Sequence, residues 1–338
     1  MTDETDISTA NTMRERSGES RIKLWLLLRA NRFLVSSILT SAVFVAFVIA
    51  VAALDPPFSR QIESGDMIDT MFSTMITVIV TGTTLVVTIG QLVLSQENGP
   101  LGDQRERMSS SMDVRDFTEE LIGSPSPADP SEFLRQIIGI TAQRTTALRE
   151  SIDKNDNENL REEVDEFAES VTGNADTVRD QLEGAQFGSF DVLFAALNFN
   201  YSWKIFQVER LANEHEESLN EEERGLLDDL KTALSLFGPA REHVKTLYFQ
   251  WALIDLSQMI LYAAVPALAV AGIMVAIVDA GTFPGSTLGL DHIILIVGGA
   301  FAVTLVPFML FVSYVLRIVT IAKRTLAIEP LILRESQR

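Results

Sequence analysis

Four apolar runs, each long enough to cross a bilayer, constrain this chain more than any other feature of its sequence. They cover about 33–54, 67–94, 253–278 and 293–316. At ~1.5 Å of rise per helical residue, about 20 residues cross the ~30 Å of hydrocarbon. In lipid a backbone must satisfy its own hydrogen bonds, so runs of this length specify helices. Asp55-Pro56-Pro57 stops the first, because proline has no amide hydrogen and restricts its predecessor. Pro266 and Pro307 fall inside the third and fourth, where a kink is tolerated if neighbours bond the freed carbonyl. Gly272, Gly298 and Gly299 read as points of close helix packing.

The flanks set an orientation. Arg21, Lys23, Arg29 and Arg32 precede the first run, Arg105 and Arg107 follow the second, and Arg317, Lys323 and Arg324 follow the fourth. The two short loops on the other side hold one base, Arg60. Basic residues stay on the cytoplasmic side, so both termini are expected there. The long segment 96–250 follows them inside, because two spans precede it. The expected order is a disordered tail (1–20), a first transmembrane hairpin (21–95), an acidic helical domain (96–250), a second hairpin (251–320) and a cytoplasmic tail (321–338). The fold class is therefore an all-α membrane protein: four transmembrane helices in two hairpins with a cytoplasmic helical bundle inserted between them.

The chain carries a formal charge of −19, and 96–250 holds 15 basic and 32 acidic residues, a balance of −17. This excludes the basic footprint that nucleic acid requires. Acid-rich, lysine-poor composition resembles that of proteins from salt-loving archaea, where dense carboxylates hold water and salt screens their repulsion. The domain is still periodic. Leu160, Val164, Phe167 and Val171 recur at helical spacing, and Phe133, Ile137, Ile140, Leu148 and Ile152 make a similar stripe upstream. A third helical stretch covers 190–211, and a fourth, 221–250, leads directly towards the third span. Four such helices make a bundle. It starts after the Ser-Pro segment 124–130, with Asp129 as cap and Pro130 at the first helical position.

The second run carries the candidate functional constellation. Thr70, Thr74, Thr77, Thr81, Thr84, Thr88, Gln91 and Ser95 recur at alternating steps of four and three. Such a repeat lays one polar stripe along a helix that is otherwise apolar. One reading is packing, because threonine hydroxyls bond back to their own helix and small polar residues join membrane helices. The other is a pathway, with several copies presenting the stripe to ions around a water-filled axis. Glu63, Asp66 and Asp69 stand at its outer end as candidate acidic rings, or as ordinary carboxylates at a helix N-terminus. A gate would fall near Leu92 to Ser95. Asp255 reads as an interfacial carboxylate at the start of the third span.

No nucleophile elbow, phosphate loop or paired-histidine helix occurs, so no catalytic residues and no enzyme activity are expected. Without cysteine, and with His215, His243 and His292 scattered, no metal site or cofactor follows from spacing. The stretch TMITVIVTGTTLVVTIGQLVLSQENGP (74–100) resembles the second span of a group of uncharacterised bacterial membrane proteins. VKTLYFQWALIDLSQMILYAAVPALA (244–269) resembles uncharacterised multi-pass proteins of halophilic archaea. Neither resemblance implies an assigned activity.

Two functions compete. The first is an oligomeric, ion-channel-like membrane protein whose second span lines a polar pathway while the bundle senses or assembles. The second is a non-conducting anchor or scaffold whose acidic bundle recruits a cytoplasmic protein partner. A secondary transporter ranks below both, because the two hairpins differ in polar content and no broken helix marks an ion site. Expected partners are the lipid bilayer and further copies of the chain, with no nucleic acid.

Overall fold

The computed structural model describes residues 20–53, 62, 66–97, 99–123, 125–185, 190–279, 281–287 and 289–325. Nearly all of the expected N-terminal tail, Asp55-Pro56-Pro57, Arg60 and Glu63 lie outside the described residues. Described residues form helices α1 (Arg21–Leu24), α2 (Arg32–Ala52), α3 (Met67–Glu97), α4 (Leu101–Ile122), α5 (Pro130–Ile152) and α6 (Glu158–Leu182). Then come α7 (Phe190–Leu197), α8 (Tyr201–Glu214), α9 (Glu221–Ile277) and α10 (His292–Thr325). A two-residue antiparallel pair, β1 (Ser286–Thr287) and β2 (Leu290–Asp291), sets Ser286 opposite Asp291. Among the described residues, four helices, α2, α3, α9 and α10, are long and apolar enough to cross a membrane. The chain is all-α in character.

The chain divides into two compact units. The first contains Gly99–Phe249, together with Met1–Trp25 and Ile321–Arg338. Its core is the period read from the sequence: Leu160, Val164, Phe167 and Val171 are all fully or almost fully buried on α6. On α5, Ile137, Leu148 and Ile152 are buried as expected, Leu134 and Ile138 join them, and Phe133 and Ile140 are only half-buried. The buried face is completed by Thr141 and Thr145, whose hydroxyls donate to the carbonyls of Ile137 (2.9 Å) and Thr141 (2.7 Å). Back-bonding removes the cost of burying a hydroxyl, so polar residues hide in an apolar stripe.

Two elements differ from expectation. The stretch 190–211 is not one helix, because Asn198 breaks it between α7 and α8. Its carbonyl accepts from Asn174 Nδ2 (3.1 Å) and its Nδ2 donates to Gln181 Oε1 (2.9 Å). Asparagine competes with helical hydrogen bonding in this way. The tail 321–338 begins as helix, since α10 continues to Thr325 with Ile321 fully buried. In contrast, α9 meets expectation as one helix from Glu221 to Ile277 that includes Pro239 and Pro266.

Asp129 caps α5 as expected, accepting from the amides of Ser131 (2.8 Å) and Glu132 (3.2 Å), with Pro130 in the first turn. The Ser131 hydroxyl also bonds this carboxylate and, with the two amides, holds it below the usual aspartate range. A folded-state pKa below the unfolded one means the cap stabilises fully above the unfolded value. The stabilisation is lost as pH falls through the folded value. Asp129→Ala should cost about 1 kcal/mol at neutral pH. In urea titrations of the detergent-solubilised chain, that difference should shrink to nothing in acid; a pH-independent difference would contradict the assignment.

The second unit contains Leu26–Asn98 and Gln250–Thr320. Phe72, Val51, Ala271, Met274, Ile293 and Val297 form one cluster, and Val86, Leu256, Ile260, Leu310 and Tyr314 another. Arg32 is not a free flanking base. Its buried guanidinium donates to the carbonyls of Leu26 (3.0 Å), Leu27 (3.2 Å) and Ser313 (3.1 Å), and Arg317 donates to Ala30 O at 2.7 Å. Of the glycines read as packing points, only Gly298 meets a neighbour closely; a Cβ on Gly272 or Gly299 would touch nothing within 4 Å.

Candidate functional site

Helix α3 has two unlike faces. Ile68, Phe72, Ile79 and Val86 are buried, Ile79 among Ala264 and Ala267 and Val86 among Leu256 and Ile260. Gly90 continues that face, and a Cβ there would lie 2.9 Å from Ser257 Oγ. At ~100° per residue the polar stripe falls about half a turn away. All eight of its residues, Thr70, Thr74, Thr77, Thr81, Thr84, Thr88, Gln91 and Ser95, are exposed. Among the described residues, the stripe is therefore left uncovered. Val78, Leu85 and Leu92 are also exposed and run along one edge of it, so the outward face is a polar seam beside an apolar rail.

The hydroxyls are not idle on this face. Thr74 donates to Thr70 O (2.7 Å), Thr77 to Ser73 O (3.2 Å), Thr84 to Val80 O (2.9 Å) and Thr88 to Thr84 O (2.9 Å). Ser95 donates to Leu92 O at 2.8 Å. Each such hydroxyl spends its one hydrogen on its own helix and keeps oxygen lone pairs for the outside. Gln91 differs: its amide has no hydrogen bond among the described residues, and an unbonded amide in hydrocarbon costs several kcal/mol, roughly 2–7. Asp66 and Asp69 are exposed at the start of α3, with Asp69 in its first turn. Between Asp66 and Glu97 there is no basic residue. Asp255 is exposed on α9.

The histidines separate. His292 is tied into the β1–β2 turn through Thr287 Oγ1 (2.8 Å) and the Pro284 carbonyl (3.2 Å), and His243 is exposed on α9. His215, at the C-terminal end of α8, lies beside Glu163 of α6 and Glu214, with their ligand atoms within 4.8 Å of one another. Spacing could not disclose this group, because Glu163 lies on another helix. One core lysine was equally hidden: Lys204 is fully buried, with Nζ 2.9 Å from Asn174 Oδ1 and 4.7 Å from the centre of the Phe199 ring.

These features define an all-α protein with four helices fit to cross a membrane, one bearing an outward polar seam. The chain belongs to a family of unknown function (DUF7972), whose family model matches residues 1–338. No curated protein and no solved structure matches it.

Proposed function

We propose that the protein is an oligomeric, channel-like membrane protein in which copies of α3 face one another and their seams line a polar pathway. The observation that carries this is the exposure of all eight seam residues on the side of α3 opposite its packed face. A polar stripe that the described residues leave uncovered gains most from an identical stripe or from water, and Gln91 gains more than the threonines. The back-bonded hydroxyls present acceptor oxygens, and Asp66 and Asp69 add negative charge at one end, so the permeant species is a cation.

In this reading α2 with α3 and α9 with α10 are the two hairpins, and the acidic helical bundle is inserted between them. Both termini and 96–250 face the cytoplasm, as the basic flanks direct. The bundle senses or assembles. The excess of 46 acidic over 27 basic residues fits a salt-rich, archaeal habitat. A second reading, a non-conducting scaffold that recruits a cytoplasmic protein, draws on the same back-bonds, because a threonine satisfied by its own helix needs no water.

Flux through proteoliposomes separates the two. Purified protein should release a potassium or sodium gradient, and joint replacement of Thr77, Thr81 and Thr84 by leucine should reduce that flux at least about tenfold at equal reconstitution. Absence of flux from the unaltered protein, or flux indifferent to the triple change, rules out the pathway; an intact oligomer without flux favours the scaffold.

A further inference from the structure

Folding brings Glu163 to the adjacent Glu214 and His215, and the details of that meeting go beyond an ordinary ion pair. We infer that Glu163, Glu214 and His215 bind a divalent transition-metal ion of the zinc type. His215 Nε2 stands 3.5 Å from Glu163 Oε1. Bonds of about 2.1 Å in tetrahedral array hold two ligand atoms about 3.4 Å apart, so this pair already has the spacing of two zinc ligands. Nε2 is shielded from solvent and makes no well-formed hydrogen bond among the described residues, so its lone pair is directed at Glu163 Oε1 across a gap that an ion can fill.

Arg210 organises the rest. Its Nη2 lies 2.9 Å from Glu163 Oε2, its Nη1 2.7 Å from Glu214 Oε2, and its Nε donates to Gln207 Oε1 at 2.8 Å. Each carboxylate is therefore oriented through one oxygen, leaving the other for a ligand, which is the part that outer partners play around bound metals. The guanidinium cancels one of two negative charges, and the remaining negative charge still favours a dication. A nitrogen donor beside two carboxylates selects zinc-like ions over magnesium or calcium, which take six or more oxygens. Three protein ligands leave a fourth position for water. The ion would staple α6 to the C-terminal end of α8, and it is independent of any conduction by α3.

The test uses the full chain in detergent, stripped with a chelator and titrated with zinc chloride under excess magnesium, which occupies the many surface carboxylates. Calorimetry should show one equivalent per chain at micromolar affinity or tighter, and cobalt(II) should give the visible absorption of a low-coordinate site. His215→Ala and Glu214→Gln should each weaken binding at least about tenfold. Glu214 has a 54% exposed side chain, so its replacement keeps the test decisive even if the histidine variant misfolds. No saturable zinc step above the magnesium background, or a step that Glu214→Gln leaves unchanged, overturns the site. The cluster is then an Arg210-centred ion-pair network only.

Discussion

Truncating Phe167 to alanine should remove about 3–5 kcal/mol from the helical unit, since a fully buried aromatic leaves a cavity that its neighbours cannot fill. Phe167 sits in the middle of the α6 stripe, in one cluster with Leu134, Ile137 and Ile138 of α5 and Val192 of α7. The loss is a large part of the roughly 5–15 kcal/mol that holds a typical domain together. It should appear as a lowered urea midpoint and as rapid proteolysis between α5 and α8. Phe167→Leu keeps most of the volume and should cost less than about 1.5 kcal/mol. Both variants must be compared at one ionic strength, because a balance of 15 basic to 32 acidic residues in 96–250 adds salt-dependent repulsion of its own. Equal protease resistance of wild type and Phe167→Ala would show that this stripe is not the core.

The period of the sequence disclosed what period can disclose. Runs of apolar residues located four helices fit to span a membrane, and the Leu160-to-Val171 spacing located the core of α6. On α5 the same reasoning placed Ile137, Leu148 and Ile152 but missed Thr141 and Thr145, which satisfy their hydroxyls internally and bury like apolar side chains. The break at Asn198 depends on Asn174 and Gln181, partners on another helix that no local window contains. Nor did hydropathy mark α4, a mostly exposed helix whose C-terminal half is tied back by Arg115 donating to Pro127 O at 3.2 Å. For the seam, spacing showed that eight polar residues share a face. Which way that face turns was decided by Phe72, Ile79 and Val86 packing on the opposite side. The group at His215 was illegible for the reason that hid the Asn198 break: it is assembled across helices.

Gly298→Ala is the second change with a large expected effect. A Cβ there would fall 2.9 Å from Phe47 Cδ1, 3.3 Å from its Cε1 and 3.4 Å from Phe44 Cε2. Those are ring atoms on α2, and the Phe47 ring already packs against Phe301 with centroids 5.5 Å apart. It cannot swing aside without giving up that contact. Forcing α2 and α10 apart should cost about 1–3 kcal/mol and lower the thermal midpoint of the detergent-solubilised chain. Gly272→Ala provides the control, since a Cβ at Gly272 meets nothing and alanine is the better helix former by about 1 kcal/mol. Combining Gly298→Ala with Phe47→Leu should recover much of the loss, because the two residues share one space and their effects are not additive. If instead the two glycine variants were equally stable, close approach at Gly298 would not be what joins α2 to α10. Gly298 does not belong to the α3 seam, so if α3 lines a pathway as proposed, flux per folded protein should stay constant in Gly298→Ala while the amount of folded protein falls. A change that lowers stability is thereby separated from the leucine replacements at Thr77, Thr81 and Thr84, which should leave the fold intact and lower the flux that the proposed pathway predicts.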